Sequence, residues 1–267
     1  MLNKAKALNN YKLHSLDGEI GKVKEFYFDD HNWNVQYLIA DTGSWLTGRQ
    51  VLISPYALEA VSKEEEYISL NLTKSQIENS PPLETDEPVS QQFQEKFYGY
   101  YEWPMYGAGL ETLGQYAAYP LITSDQGGAR EYTQADKVWD PHLRSTDNVS
   151  GYNIQGLDGE VGHVKDFIID DETWKIRYLV VDTRNWWPGK KILLSTQWIE
   201  KISWDESKVF INLPCENMKQ SPEYTEDSIV DRDYEITLHQ HYNRKGYWTD
   251  KTEDKKGSFV YPAKKVY

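Results

Sequence analysis

Apolar residues stand at every second position over several short stretches of the chain, and this pattern predicts half-buried β-strands. In the clearest case, residues 33–41, the alternating residues are Trp33, Val35, Tyr37 and Ile39. Polar turn residues separate such stretches, which favours a small antiparallel barrel or sandwich. Further strands are expected over residues 23–28, 50–53, 67–72, 164–169, 174–182, 191–194 and 209–213.

Helical signals are few and short. Residues 73–79 and 214–220 are expected as short helices, because each ends at a Ser–Pro pair that stops a helix. Residues 231–242 place their apolar side chains at helical spacing, and residues 91–101 are the matching segment earlier in the chain. The helices are therefore expected to follow the strands rather than to alternate with them.

The two halves of the chain repeat one pattern at an offset of 141 residues. LDGEIG at 16–21 returns as LDGEVG at 157–162, and residues 11–82 compared with 152–223 give 27 identities in 72 positions without a gap. A period this long exceeds that of solenoid repeats, so each copy is expected to be a domain. The expected division is a first domain over 1–106, a linker over 107–141, a second domain over 142–248 and a charged extension over 249–267.

Together these patterns predict a mainly β protein. We expect two small antiparallel β-barrels, each followed by a short helix and an aromatic tail. Closing each sheet into a barrel would protect the strand edges of a short domain.

Four segments of the second copy carry a family resemblance: GYNIQGLDGEVGHVKDFIIDDETWKIRYLVVDTRNWWPGKKILLS at 151–195, HLRS at 142–145, SPEY at 221–224 and DRDYEITLHQHYNRKGYW at 231–248. They resemble PRC-barrel domains, in particular those of the tandem, soluble bacterial group. The first copy resembles them in the same order. The family shares its barrel with the cytoplasmic part of the photosynthetic reaction-centre H subunit and with a ribosome maturation factor. The resemblance to the H subunit implies a role in photosynthetic electron transfer and proton uptake.

The charge of the chain narrows the choice of partners. With 29 Lys+Arg against 42 Asp+Glu the net charge is −13, which argues against binding to nucleic acid. No apolar run approaches about 20 residues, and the first residues lack a secretory signal, so a cytoplasmic protein is expected. Residues 1–140 hold 11 basic and 21 acidic residues, so a basic partner is expected to dock there.

Repeated acidic residues are the first candidates for chemistry. The pairs Asp29–Asp30 and Asp170–Asp171 suit either a cation or proton-relay site or a solvated hairpin turn, and the turn is the preferred interpretation. Each copy also ends a strand with an Asp followed by Thr. The candidate structural acids are Asp41 and Asp182.

Histidine and cysteine give weaker signals. His239 and His241 would diverge on a helix, and the first copy has Tyr98 and Tyr100 in their places, so no metal site is expected. His142 and Arg144 are expected to pack between the domains. The single cysteine, Cys215, excludes an intrachain disulfide.

Aromatic residues are concentrated after each predicted helix, where they could bind a peptide or pack back on the barrel. With His142 and Arg144, the candidate interaction or interdomain residues are Tyr100, Tyr101, Trp103, Tyr106, Tyr242, Tyr247 and Trp248.

The sequence predicts a soluble, non-enzymatic protein that acts by protein–protein contact, with no cofactor. Two alternatives stay open. One is an H-subunit-like role in photosynthesis, with peripheral association to a photosynthetic complex. The other is a small-molecule or metal-binding enzyme. A second copy of the chain is a further candidate partner, because the excess of aromatic surface must pack somewhere.

Overall fold

The computed structural model describes residues 1–46, 48–82, 89, 91–103, 142–183, 189–225 and 228–249. Most of the regular structure is strand, and the prediction of a mainly β fold with two barrel-like sheets is confirmed. The predicted linker 107–141, Tyr106 and residues 250–267 of the predicted extension lie outside the described residues. The strands are β1 Leu2–Lys4, β2 Lys12–Ser15, β3 Gly18–Asp29, β4 Val35–Asp41, β5 Gln50–Ile53, β6 Leu58–Ser62, β7 Tyr67–Leu70, β8 Leu143–Ser145, β9 Asn153–Gly156, β10 Gly159–Asp170, β11 Lys175–Asp182, β12 Lys191–Ser195, β13 Ile199–Ser203 and β14 Lys208–Ile211.

The helices are short and stand mostly where the sequence places them. The predicted helix over 73–79 is shorter by its two end residues, because Thr73 caps the helix that begins at Lys74. Its counterpart in the second repeat begins after Pro214, which makes no side-chain capping hydrogen bond. The helices are α1 Ala5–Leu8, α2 Lys74–Glu78, α3 Gln91–Tyr100, α4 Thr146–Val149, α5 Cys215–Lys219 and α6 Arg232–His241.

The two repeats form sheets with the same strand order. In the first, the order is β5-β4-β3-β2-β7-β6, and in the second it is β12-β11-β10-β9-β14-β13. Neighbouring strands are antiparallel except at β2–β7 and β9–β14, which pair in parallel. Each sheet therefore contains one parallel pair within the predicted antiparallel pattern. Equal topology on two similar sequences supports duplication of one domain.

The LDGE turn ties the first hairpin of each repeat to its short helix. The Asp17 carboxylate accepts a hydrogen bond of 2.7 Å from the backbone N–H of Lys74, and Asp158 accepts one of 2.7 Å from Cys215. These backbone hydrogen bonds lower the pKa of both carboxyls. The Asp at this position of each repeat therefore caps the short helix that begins 57 residues later in the chain.

The second glycine of the LDGE(I/V)G motif lies against the backbone of the neighbouring strand. A Cβ atom on Gly162 would stand 2.0 Å from the carbonyl oxygen of Asp182, and one on Gly21 would stand 2.1 Å from that of Asp41. Gly21 also has a φ of +138°, which L-residues rarely adopt. The glycine is thus required by close approach of two strands.

The two repeats exchange their first strands. The strand β1 of the first repeat pairs with β10 of the second, and β8 of the second repeat pairs with β3 of the first. We call residues 1–8 and 142–149 the exchanged arms. The arms obey the same 141-residue offset as the sequence, since Leu2 pairs with Asp170 and Leu143 pairs with Asp29. Each sheet therefore has seven strands, one of which comes from the other repeat.

A second set of reciprocal contacts lies where the two sheets meet. The N–H of Val35 donates to the carbonyl of Trp174, and the N–H of Ile176 donates to the carbonyl of Trp33, both at 2.8 Å. Trp33 and Trp174 have φ values of +61° and +52°, so the predicted strand from residue 33 begins instead at Val35. The left-handed backbone ends the hairpin and directs both carbonyls across the interface.

The apolar core runs continuously through both repeats. Phe28 of β3 and Phe167 of β10 contact each other, with their ring centroids 5.7 Å apart. Because the core and the sheets are shared, the repeats are expected to fold as one cooperative unit. Among the described residues, no helix combines the length and the apolar character that a membrane crossing requires.

Candidate binding site

The exchanged arms are held to the opposite repeat by the acidic pair at each hairpin. Asp30 forms an ion pair with Arg144 at 2.6 Å and a contact of 2.9 Å with His142. At the corresponding place, Asp171 accepts a hydrogen bond of 2.7 Å from Asn3. The structure thus places His142 and Arg144 at the junction of the two repeats. The Asp pairs lie at turns, but their second carboxylates are mostly buried and bind the arm.

A second acid on each of the long strands β3 and β10 also accepts a hydrogen bond from the arm that pairs with that strand. Glu25 accepts a hydrogen bond from the hydroxyl of Ser145, and Asp166 accepts one of 3.1 Å from the backbone N–H of Lys6. Both acids stand at bulges of their strands, and burial raises the pKa of both. The bulge turns an otherwise outward side chain toward the arm.

A cleft of about 770 Å³ opens beside one arm, the one formed by residues 1–8. Its walls come from residues 1–11 and Lys63 of the first repeat, from positions 168–177 of the second sheet, and from Tyr224 and positions 228–248. The largest side chains in the walls are aromatic or cationic. They include Tyr11, Tyr224, Tyr247, Trp248, Arg177 and Arg232.

The arm that borders the cleft lacks a packed pair that the other arm has. Beside the other arm, the guanidinium of Arg144 stacks on Trp204 with 4.8 Å between its Cζ atom and the ring centroid. The residues at the same positions of the first repeat are Asn3 and Lys63, and both line the cleft. A short amide and a flexible lysine thus stand beside the cleft in place of a packed Arg–Trp pair.

Buried polar groups form the floor of the cleft. Glu235, which is 2% exposed, accepts hydrogen bonds from the hydroxyls of Tyr178 at 2.8 Å and Tyr247 at 2.9 Å. Its second oxygen lies 2.9 Å from a guanidinium nitrogen of Arg232. Burial, together with the negative charge of Glu235, raises the pKa of Tyr178 far above its usual value and that of Tyr247 to about 12. Both hydroxyls therefore remain donors to the carboxylate at neutral pH.

His239 lies behind this carboxylate and is buried among aromatic rings. Its Nδ1 atom is 3.0 Å from the carbonyl of Lys245, and its Nε2 atom is 3.2 Å from the Tyr178 hydroxyl. Burial lowers the pKa of His239, and the nearby charge of Arg232 adds to that effect. A neutral imidazole whose Nδ1–H donates to the carbonyl fits the contact with Lys245.

Arg177 and Asp170 form the second wall of the cleft. The guanidinium of Arg177 lies 3.0 Å from the Asp170 carboxylate and stacks on Tyr247, with its Cζ atom 3.9 Å from the ring centroid. Burial opposes ionisation of Asp170, but hydrogen bonds from Thr173 and Arg177 outweigh it, so the pKa is lowered. Asp170 is therefore an ionised anchor for Arg177.

Three ionisable residues of this site, all from the second repeat, have different residues at the matching positions of the first repeat. The residues at the matching positions of the first repeat are Gln36, Gln94 and Tyr98, in place of Arg177, Glu235 and His239. The sequence interpretation did not select Arg177, Arg232 or Glu235. Aligning the two repeats would have pointed to Arg177 and Glu235, because each is aligned with a glutamine of the first repeat.

The aromatic residues of the two tails have different surroundings. In the first repeat, Tyr101 stacks on Trp103 with centroids 4.3 Å apart, and Tyr100 donates a hydrogen bond of 2.9 Å to the carbonyl of Gln76. In the second repeat, Tyr242 packs against Trp198 and is buried. The residues of the predicted tails that reach the cleft are Tyr247 and Trp248.

The remaining candidates lie away from the cleft. Asp182 is 3% exposed, whereas Asp41 is exposed and accepts a hydrogen bond of 2.9 Å from the backbone of Gly43. Burial raises the pKa of Cys215 to about 11, with a further rise from Asp158. Within the described ranges, no three His, Cys, Asp or Glu side chains come together to hold a metal ion.

Comparison with known proteins bears on the second repeat. Residues 145–217 match the PRC-barrel domain model. The match begins in β8 and ends in α5, so it covers the whole path of the second sheet. No curated protein matches the chain. The PRC-barrel match supports the fold expected from the resemblance, while the photosynthetic role and the enzyme alternative stay predictions.

We expect the substitution His239→Gln to weaken the pH dependence of stability. Because its pKa is lowered on folding, His239 stays neutral where the unfolded chain, with a histidine pKa of about 6.5, binds a proton. The unfolded state then binds more protons, so the free energy of unfolding of the wild type falls as the pH drops from 7 to 5. The contribution of one such group is at most about 1.4 kcal/mol per pH unit.

Urea denaturation at several pH values measures this slope. The matched control is His241→Gln on the same helix, where the imidazole Nε2 contacts the carbonyl of Asn217. An unchanged slope in His239→Gln would mean that this histidine has the same proton affinity in both states.

Proposed function

We propose that the protein is a non-enzymatic, cytoplasmic binding protein that recognises another protein through the cleft beside the arm formed by residues 1–8. The observation that carries this proposal is the composition of the cleft walls, which combine Tyr, Trp and Arg side chains from both repeats. These residue types dominate the energetic centres of protein–protein interfaces.

The arrangement of the floor supports binding rather than catalysis. Glu235 is saturated with donors, and the two tyrosines that hold it have raised pKa values. Such groups fix the positions of the arginines without being poised to exchange protons at neutral pH. The PRC-barrel match over 145–217 also supports a domain that acts through interactions.

The rim of the cleft supports a protein as the partner. Ile229 lies in the wall and is 78% exposed. Exposed apolar side chains beside a polar cleft are typical of a surface that becomes covered by another chain. We assign the first repeat to the same domain type on its equal topology and its 27 identities in 72 positions.

Affinity capture from the native host tests the proposal. The bait is the full chain, compared with Ile229→Glu at the cleft rim and with Leu157→Glu, an equal change at an exposed residue outside the cleft. We expect a protein that is retained by the wild type and Leu157→Glu and is lost with Ile229→Glu. Capture that does not distinguish the two variants would contradict the proposal, as would robust turnover that is abolished by changing a single Asp.

A further inference from the structure

Three of the four carboxylates in the cleft lining already have hydrogen-bond donors. Asp170 accepts from the side chains of Arg177 and Thr173 and from a backbone N–H. Glu235 accepts from two tyrosine hydroxyls and pairs with Arg232, and Asp231 accepts from the backbone N–H of Tyr234. These three acids are engaged within the protein and offer little to a cationic ligand, whereas Glu172 is exposed at the edge of the cleft, 3.6 Å from the N-terminal amine.

The cations in the cleft keep donors to spare. Arg177 uses Nε and Nη2 on Asp170 and Thr173, and Arg232 uses Nη1 on Glu235. Within the part of the chain that the structure describes, Nη1 of Arg177 and both Nε and Nη2 of Arg232 have no acceptor. Lys63 on the opposite wall likewise has no carboxylate within 4.0 Å among those residues. The surplus of donors therefore favours a ligand that brings acceptors.

Aromatic stacking holds the two arginines ready for such a ligand. The Cζ atom of Arg177 lies 3.9 Å and that of Arg232 5.3 Å from the centroid of the Tyr247 ring. Arg232 also lies 4.3 Å from the centroid of Trp248. A stacked guanidinium has lost part of its freedom while its N–H edge stays available, which suits recognition of a carboxylate by paired hydrogen bonds.

The first repeat provides an internal comparison. Its residues at the positions of Arg177 and Arg232 are Gln36 and Gln91, which carry no charge. The duplicated fold therefore does not require the arginines at these places, and their presence in one copy points to a role beyond folding. The cleft lining contains four Lys or Arg and four Asp or Glu side chains, so it is less acidic than the chain as a whole, whose net charge is −13.

We infer that the cleft binds an acidic segment of the partner protein, in which Asp or Glu side chains alternate with apolar ones. The carboxylates of the segment accept hydrogen bonds from Arg177, Arg232 and Lys63, and its apolar side chains pack at the rim on Ile229. This inference rests on the proposed function, to which it adds the chemistry of the partner. A volume of about 770 Å³ is in the range of pockets that enclose a small ligand or a few side chains.

Selection of peptides on the full-length protein tests the inference. The probe is a phage-displayed random peptide library, and the selected peptides are then synthesised and their affinities measured by fluorescence polarisation at low and high salt. We expect enrichment of Asp and Glu together with apolar residues. The affinity should fall at least about tenfold in Arg177→Gln/Arg232→Gln, which inserts the residues of the first repeat, and it should weaken as salt rises.

A second variant protects the test from a failure to fold, because Arg177 is also bound to Asp170. Lys63→Glu reverses a charge on the exposed wall and is expected to lower the affinity for the acidic peptides several-fold. Lys22→Glu is the matched control, since Lys22 is exposed on the same repeat and lies outside the cleft walls. Equal effects of the two changes would overturn the inference.

The remaining outcomes separate the inference from the proposed function. Selected peptides that lack acidic residues, or that bind the arginine variant as well as the wild type, overturn the inference and leave a protein partner in place. If no peptide is enriched, while citrate or inorganic phosphate raises the melting temperature of the wild type and not of the arginine variant, the oxyanion is a free small molecule. That result would overturn both the acidic segment and the proposed protein partner.

Discussion

Replacing Gly162 with alanine is expected to prevent stable folding of the second sheet. The new Cβ atom would lie 2.0 Å from the carbonyl oxygen of Asp182 and 2.9 Å from its carbonyl carbon. Both groups belong to backbone that is fixed in the β10–β11 ladder, so no side-chain rotation relieves the contact. We expect a loss of about 3 kcal/mol or more in the free energy of unfolding, measured by urea denaturation followed by circular dichroism.

A neighbouring glycine provides the control for this prediction. A Cβ atom on Gly159, in the same strand, would meet only the sulfur of Cys215 at an ordinary distance of 3.5 Å. Gly159→Ala is therefore expected to change stability by less than about 1 kcal/mol. Equal free energies of unfolding of the two variants would show that the strands can separate locally to accept the Cβ atom. The close approach would then not explain the glycine at position 162.

Replacing Arg144 with methionine is expected to loosen the arm that the second repeat lends to the first. The side chains of Arg144 and Asp30 are 9% and 10% exposed, and the ion pair between them measures 2.6 Å. Without the guanidinium, the Asp30 carboxylate stays largely buried and keeps its contact of 2.9 Å with the imidazole of His142. Removing one member of a buried pair typically costs about 3–5 kcal/mol, and we expect a loss of that order.

Two further variants show whether this loss comes from the isolated charge. Asp30→Asn/Arg144→Met removes both charges and is expected to recover most of the stability, as a double-mutant cycle would report. Lys208→Met breaks the more exposed pair with Glu160 and is expected to cost less than about 1 kcal/mol. A single Arg144→Met variant as stable as the wild type would show that the arm is held by its strand pairing and apolar contacts.

The strands and the duplication could be predicted because their signals are local and repeated. Alternation of period two gave the β-rich fold, and the offset of 141 residues gave the equal topology of the two sheets. The exchanged strands could not be predicted in the same way. Leu2–Lys4 and Leu143–Ser145 are three residues long, too short to show a period, and their partners lie in the other repeat.

The candidate site was harder to predict because its parts are scattered. Tyr247 and Trp248 were among the candidates, since aromatic residues are conspicuous in any sequence. Arg177 and Glu235 were not, because single charged residues on a strand and a helix are ordinary surface residues until folding buries them. The alignment of the two copies shows that both positions carry a charge in the second repeat alone. Only the structure shows that positions 177 and 235 line the same cleft.

The exchanged arms have a consequence for how the two copies came to differ. Two separate chains with this reciprocal pairing would form a symmetric dimer, in which any change at one cleft appears at the other as well. Joining them in one polypeptide replaces a bimolecular encounter with a tethered one at high effective concentration. Assembly then no longer depends on self-recognition between identical surfaces. One half can therefore keep neutral amides and serve as scaffold, while the other acquires the arginines and the glutamate of a specialised recognition site.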